Sequence, residues 1–339
     1  MNKYEIIEPI GRGSFGSVYR VRHVVNNKEY ALKRVHYIER RKNDLDYLRN
    51  EIRILVYNKA KYLIKCHDIF VDQMDICLVT DLASKGDLRN FIKRRKRRNM
   101  TISENTIIKL FVQLCLGIKY LHNYNIIHRD LKSANILINN NYDVMIGDFG
   151  ISKILRPSVK FTHTMIGTPY YCSPEIVKGV MYDKRVDIWA LGCILCEMMT
   201  MDYAFISENI HSLNFKIING KYQLPDRVKY RYSDELVDLV SKMIDTDINK
   251  RPDIDQILSF DIIKDFINNN EDDYHNHEVR RGLNKYLIKP RNFYEWGNIC
   301  KQISMDLVFN DNTRMSPLTI KRPVSEYYNR RRYLPKIYS

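Results

Sequence analysis

The sequence predicts an α+β chain of two lobes: a small antiparallel β-sheet lobe with one helix, then a larger, mainly α-helical lobe. Three observations predict it. Short runs within residues 4–83 alternate apolar and polar side chains, as half-buried strands do. After Gly86 the apolar spacing changes from the strand period to the helical one. The 339 residues, 45% of them apolar, are enough chain to bury a large core and too apolar for a wholly disordered protein. The joint between the lobes falls near Thr80–Gly86, where such an arrangement opens a cleft.

Taken in order, Ser17–Val21 and Glu29–Lys33 read as strands, and Leu45, Leu48, Ile52 and Leu55 recur at helical spacing between the strand runs. Thr101 opens a helix with Glu104 three residues on, the spacing of a capping box. Ile107, Leu110, Phe111, Leu114, Ile118 and Leu121 then form one apolar stripe, and Leu236, Leu239, Val240 and Met243 repeat it later. Ile188–Met199 is apolar except for Glu197, too short to span a bilayer and fitting a buried core helix. Cys193 and Cys196 lie inside that helix, so their C-x-x-C spacing reads as core packing rather than redox or metal chemistry. Around Asn268–Asp273 the composition turns polar and acidic, which marks a boundary between residues 4–267 and a basic extension, 268–339, expected to be largely disordered. Within 4–267 the lobes divide at 82/83.

The net charge of +15 splits as +10 over residues 1–267 and +5 over the extension. Such a balance favours acidic partners without choosing among them. Its densest part is Lys93–Arg98, six consecutive cations placed between two helices. A solvated loop, a nuclear-import or acidic-protein docking site, and a microtubule or nucleic-acid site compete for it. The nucleic-acid reading is disfavoured because no aromatics interleave the block. Seven cysteines at irregular spacing form no disulfide framework, and neither a signal peptide nor a membrane span is visible, so a cytoplasmic or nuclear protein is expected.

Gly11-Arg12-Gly13-Ser14-Phe15-Gly16-Ser17-Val18 is a glycine-rich run between two strands. Glycines let backbone N–H groups close over a polyphosphate, and because a strand rather than a helix follows, a hairpin is expected here and not a dinucleotide fold. Lys33 ends an apolar strand, where it can neutralise phosphate oxygens if Glu51 steadies its stem. In His128-Arg129-Asp130-Leu131-Lys132-Ser133-Ala134-Asn135, Asp130 would orient an acceptor hydroxyl and Asn135 would offer an amide oxygen to a metal. Asp148-Phe149-Gly150 adds a second metal carboxylate.

These motifs, in this order, resemble the eukaryotic protein kinases over residues 4 to about 267, and the resemblance implies their two-lobed fold. Ser173-Pro174-Glu175, Asp187-Ile188-Trp189 and Arg251-Pro252 match further family positions, with Arg251 implied to pair with Glu175. Lys132 and Gly167-Thr168-Pro169 are similar to the Ser/Thr-specific branch, in which Thr168 bonds the catalytic aspartate. The Ile166–Ile176 stretch resembles the NIMA-related kinases. The implied activity is transfer of the ATP γ-phosphate to protein serine and threonine, with magnesium, or manganese in its place. An ATP-binding scaffold acting through protein contacts is the alternative. The catalytic set implied is Asp130, Lys132, Lys33, Glu51 and Thr168. The ATP set is Ile10, Gly11, Arg12, Gly13, Ser14, Phe15, Gly16, Val18, Ala31, Lys33, Thr80, Asp81, Ala83 and Leu137, with Asn135 and Asp148 on the metal. Phosphate on Thr164, received by Arg129, is the implied activating modification.

Overall fold

The computed structural model describes residues 3–13, 16–36, 60–72, 75–147, 169–270 and 274. The first lobe is a five-stranded antiparallel sheet built from β1 (Tyr4–Gly13), β2 (Gly16–His23), β3 (Glu29–His36), β4 (Cys66–Asp72) and β5 (Asp75–Thr80), ordered β1-β2-β3-β5-β4. The helix expected around Leu45–Leu55 lies outside the described residues.

Alternation gives the sheet two apolar faces. Val21, Leu32, Cys77 and Val79 point to one side under Tyr4, Tyr19, Tyr30 and Phe70. Val35, Ile76 and Leu78 point to the other and join a core that continues into the helical lobe. Because strand neighbours directly opposite share a face, the pairings Val18↔Lys33, Lys33↔Leu78 and Ala31↔Thr80 place all five of those residues on the side of the second lobe.

A two-stranded ribbon, β6 (Ile136–Ile138) and β7 (Val144–Ile146), joins the lobes. Ile64 N–H donates to the Ile146 carbonyl at 2.9 Å and Ile146 N–H to the Tyr62 carbonyl at 2.8 Å. On its other strand, Ile138 N–H reaches the Gly86 carbonyl at 2.8 Å. Gly86 sits at φ +77°, a left-handed turn that glycine adopts without strain.

The second lobe carries α1 (Leu88–Arg97), α2 (Glu104–Asn123), α3 (Pro174–Lys178), α4 (Arg185–Thr200), α5 (Ile210–Ile218), α6 (Asp226–Lys229), α7 (Asp234–Met243), α8 (Ile254–Ser259) and α9 (Asp261–Asn268). Helix α4 is buried on every side from Val186 to Met199, as its apolar run requires. Gly192 lets α7 approach: a Cβ there would lie 2.9 Å from both Met243 Cβ and Ile244 Cγ1. Cys193 and Cys196 are fully buried in it, with the Cys196 thiol pushed up to about 12 by burial, so they pack as expected.

Two local expectations need correcting. The Thr101/Glu104 capping box does not form. Ser103 is the N-cap of α2, and Glu104 instead accepts from Ser233 N–H at 2.8 Å and Ser233 Oγ at 2.7 Å. With Ser103 as the N-cap, Glu104 is the first residue of α2 and not its third, so it cannot close a capping box, and its carboxylate instead serves the N-terminal end of α7. The basic block is not a loop either. Lys93–Arg97 are the second half of α1 and Arg98 is its C-cap, where cations complement the negative end of the helix.

Candidate active site

The glycine-rich run is the β1–β2 hairpin, with Gly11 opposite Val18 and Gly13 opposite Gly16. Ile10, Gly11 and Arg12 are exposed along its first strand. Gly16 has φ +151°, and a Cβ on it would fall 1.8 Å from the Arg34 carbonyl oxygen, so no other residue fits this approach of β2 to β3. Ser14 and Phe15 lie outside the described residues. Behind the hairpin stand Val18, Ala31, Lys33 and Thr80 on one sheet face, all half-buried.

Beyond Thr80, the linker of the two lobes is already partly hydrogen-bonded. Asp81 donates its N–H to the Lys65 carbonyl at 3.1 Å, while its carboxylate accepts from Lys65 N–H at 3.3 Å and meets His67 Nε2 at 2.6 Å. The Ala83 carbonyl accepts from Gly86 N–H at 3.2 Å, and the Ala83 N–H has no hydrogen bond among the described residues. Leu137, on β6, bridges to Asp87 just past this linker.

The segment around Asp130 is shaped by one buried carboxylate. Asp187 accepts from His128 N–H at 2.9 Å and Arg129 N–H at 3.0 Å, and meets His122 Nε2 at 2.9 Å. Two consecutive amides can converge on one side chain only in a tight turn, and Arg129 accordingly sits at φ +65°. The turn presents Asp130. Its Oδ2 accepts from Lys132 Nζ and from Asn135 Nδ2, each at 3.0 Å, and its carbonyl accepts from the same Nδ2 at 2.8 Å. Both hydrogens of the Asn135 amide are thereby committed to Asp130, which turns Asn135 Oδ1 away from it.

The same segment grips the residue before Asp148. Gly147 N–H donates to the Asn135 carbonyl at 2.9 Å, and the Gly147 carbonyl meets His128 Nε2 at 3.0 Å. Glu51, Asp148, Thr164 and Thr168 lie outside the described residues. The implied ion pair of Glu175 with Arg251 is present and buried, at 2.8 and 3.3 Å, with the guanidinium also over the Trp189 ring.

One polar cluster beside this segment was not anticipated. Glu197, fully buried in α4, accepts from Tyr171 Oη at 2.6 Å, Arg89 Nη1 at 2.5 Å and Ser133 Oγ at 3.1 Å. Burial pushes its carboxyl above the ordinary carboxylate range, against the pull of Tyr171 and Arg89. The signal was in the sequence: a lone acid inside an apolar helix needs partners elsewhere. Nothing in the spacing says that α1 and the turn before α3 supply them.

A protein kinase domain family model matches residues 4–263. The chain is 35% identical over 271 residues to "Probable serine/threonine-protein kinase nek3" of Dictyostelium discoideum, covering 79% of this chain and 24% of that protein. It is 34% identical over 258 residues to mouse "Serine/threonine-protein kinase Nek1", covering 76% and 21%. To Dictyostelium "Probable serine/threonine-protein kinase nek2" it is 31% identical over 268 residues, covering 78% and 63%. The chain thus spans less than two thirds of each of these relatives.

Proposed function

The chain belongs to the protein kinase family, and from that premise we propose that it is a NIMA-related Ser/Thr kinase, transferring the γ-phosphate of ATP to serine and threonine hydroxyls of protein substrates. The observation that carries this is the Asp130 arrangement, a carboxylate held by Lys132 and Asn135 on a turn fixed by Asp187. A carboxylate so held can accept a hydrogen bond from an acceptor hydroxyl and orient its oxygen for in-line attack. Lys132, bonded to Asp130, brings positive charge to the place where the transferring phosphoryl group would lie.

ATP fits the face of Val18, Ala31, Lys33 and Thr80, with adenine between that face and Leu137, and the Ala83 N–H available to a ring nitrogen. The phosphates then lie under Gly11–Gly16 and near Lys33. A hard divalent cation suits the Asn135 Oδ1 left free of Asp130, with Asp148 as its second ligand. Such an ion, magnesium or manganese, would offset the charge of the phosphates. Glu51 as the partner of Lys33, Thr168 as a partner of Asp130, and Thr164 as the activating site received by Arg129 complete the proposal. Residues 4–267 would form the kinase domain in a cytoplasmic or nuclear protein.

The test is radiolabel transfer from ATP to dephosphorylated casein. Asp130→Asn and Lys33→Met should each lower the rate by about 10²–10⁴-fold, the size of a lost proton-handling or phosphate-positioning group. Equal background from wild type and both variants would leave the scaffold alternative standing. Thr164→Ala should lower the rate in the same assay, and an unchanged rate would remove Thr164 from the proposal.

A further inference from the structure

The Glu197 cluster has a shape that the proposed chemistry does not use. Arg89 is the second residue of α1, where a cation opposes the positive end of the helix, so its placement needs an anion nearby. Glu197 is that anion. The Arg89 guanidinium also lies 3.8 Å over the centroid of the Tyr203 ring. Tyr170 stacks on the same ring at 3.8 Å and 10°. Two groups at that distance cannot share a face, so the ring is sandwiched between Arg89 and Tyr170.

The contacts therefore close a circuit: Arg89 to Tyr203, Tyr203 to Tyr170, then through the next residue Tyr171 to Glu197 and back to Arg89. Ser133, between Lys132 and Asn135, joins at Tyr171 Oη (2.9 Å) and Glu197 Oε1 (3.1 Å). One side of the circuit is thus the segment 169–171, and the other is the loop that carries Asp130. We propose that Arg89 is a positioning residue, whose clamp between Glu197 and Tyr203 sets the segment 169–171 against the Asp130 loop and thereby governs how tightly a protein acceptor, but not ATP, is held. The inference rests on the kinase function proposed above.

Acceptor and nucleotide separate because, among the described residues, the circuit touches neither the glycine hairpin nor the sheet face. Removing Arg89 also leaves Glu197 as a buried charge without its cation, which costs more than the pair itself contributes. Replacing Glu197 by Gln in the same molecule removes that charge while its amide oxygen still accepts from Tyr171. Arg89→Met should raise the KM for casein by about tenfold with the KM for ATP within about twofold, the split expected when only acceptor binding is loosened. The double variant Arg89→Met/Glu197→Gln should recover part of that loss. Tyr203→Leu keeps the ion pair and removes the ring beneath Tyr170, so it should raise the casein KM without moving that of ATP, even if Arg89→Met does not fold.

Casein and ATP KM values that rise together, or a casein KM unchanged in folded Arg89→Met and Tyr203→Leu, would overturn the positioning role. If wild type and Asp130→Asn transfer no phosphate alike, it is the kinase function that fails. The two failures are distinct.

Discussion

Arg251 and Glu175 are the pair on which a single substitution should tell most about stability. Arg251 is fully buried, donates to both Glu175 oxygens, and also donates to the carbonyls of Asp245 and Arg185. Burial pushes the Glu175 carboxyl up, but the hydrogen bond and charge of Arg251 outweigh it and leave the carboxyl below its ordinary value of 4.5. A carboxylate depressed in the folded state stabilises it above the unfolded value and loses that contribution as pH falls through the folded one. Arg251→Ala strands Glu175 as a buried, unpaired anion, and a loss of about 3–5 kcal/mol follows, measurable by urea unfolding at pH 7. The deficit should narrow as pH falls, beginning above 4.5, where burial without Arg251 lets the variant's carboxyl take its proton, and ending below 4.5, where the wild-type carboxyl does. A deficit independent of pH would mean that lost packing on Trp189, and not charge, carries the effect. This pair was legible from the family resemblance. Arg89–Glu197, more deeply buried on the acid's side, was not, since no motif spans a separation of 108 positions.

At the scale of elements, what sequence periodicity conveyed was decided by how completely one force dominated. Helix α4 was legible because burial on all sides leaves an uninterrupted apolar run. The glycine hairpin was legible because a strand pattern follows Gly16, and the β1–β2 register bears it out. The start of α2 was misjudged because an i, i+3 spacing describes a cap without excluding a distant competitor, and Ser233 won Glu104. The basic block was misjudged because six like charges suggest a repelled, solvated loop. Leu88 and Ile92, buried beneath them, and the Asp87 N-cap bonded to Asn90 N–H at 2.7 Å are enough to hold the helix. The hairpin supports a prediction at this scale. Gly16→Ala places a methyl carbon where the Arg34 carbonyl stands, so β2 must move off β3 at the edge nearest Lys33. The KM for ATP should rise several-fold, by about 1 kcal/mol or more of binding, while far-UV circular dichroism changes little. An unchanged ATP KM would show that the hairpin end does not bear on the nucleotide.

For the whole molecule, the charge of +15 resolves into parts with different fates. Arg251 is consumed in the core, and Arg20, Arg22 and Arg34 pair with acids on the sheet. Even within Lys93–Arg98 three cations are engaged. Arg94 donates to the Lys85 carbonyl, Arg95 to the Thr101 carbonyl, and Lys96 meets Asp202 at 2.5 Å. Lys93, Arg97 and Arg98 are exposed and have no such partner among the described residues. Lys93 and Arg97 lie four apart on α1 and so form one ridge. A ridge of cations on a folded helix presents fixed charges at a fixed spacing, which a loop would not, and it suits an acidic protein segment or import receptor better than a base-stacking surface. Lys93→Ser/Arg97→Gln/Arg98→Gln leaves every engaged cation and the Arg89 clamp in place. The triple variant should therefore phosphorylate casein as wild type does, yet bind a poly-glutamate column with a clearly lower eluting salt concentration, since exposed charges act within a screening length of about 8–10 Å. Identical elution would assign the acidic affinity to the other cations of the chain and leave this ridge merely solvated.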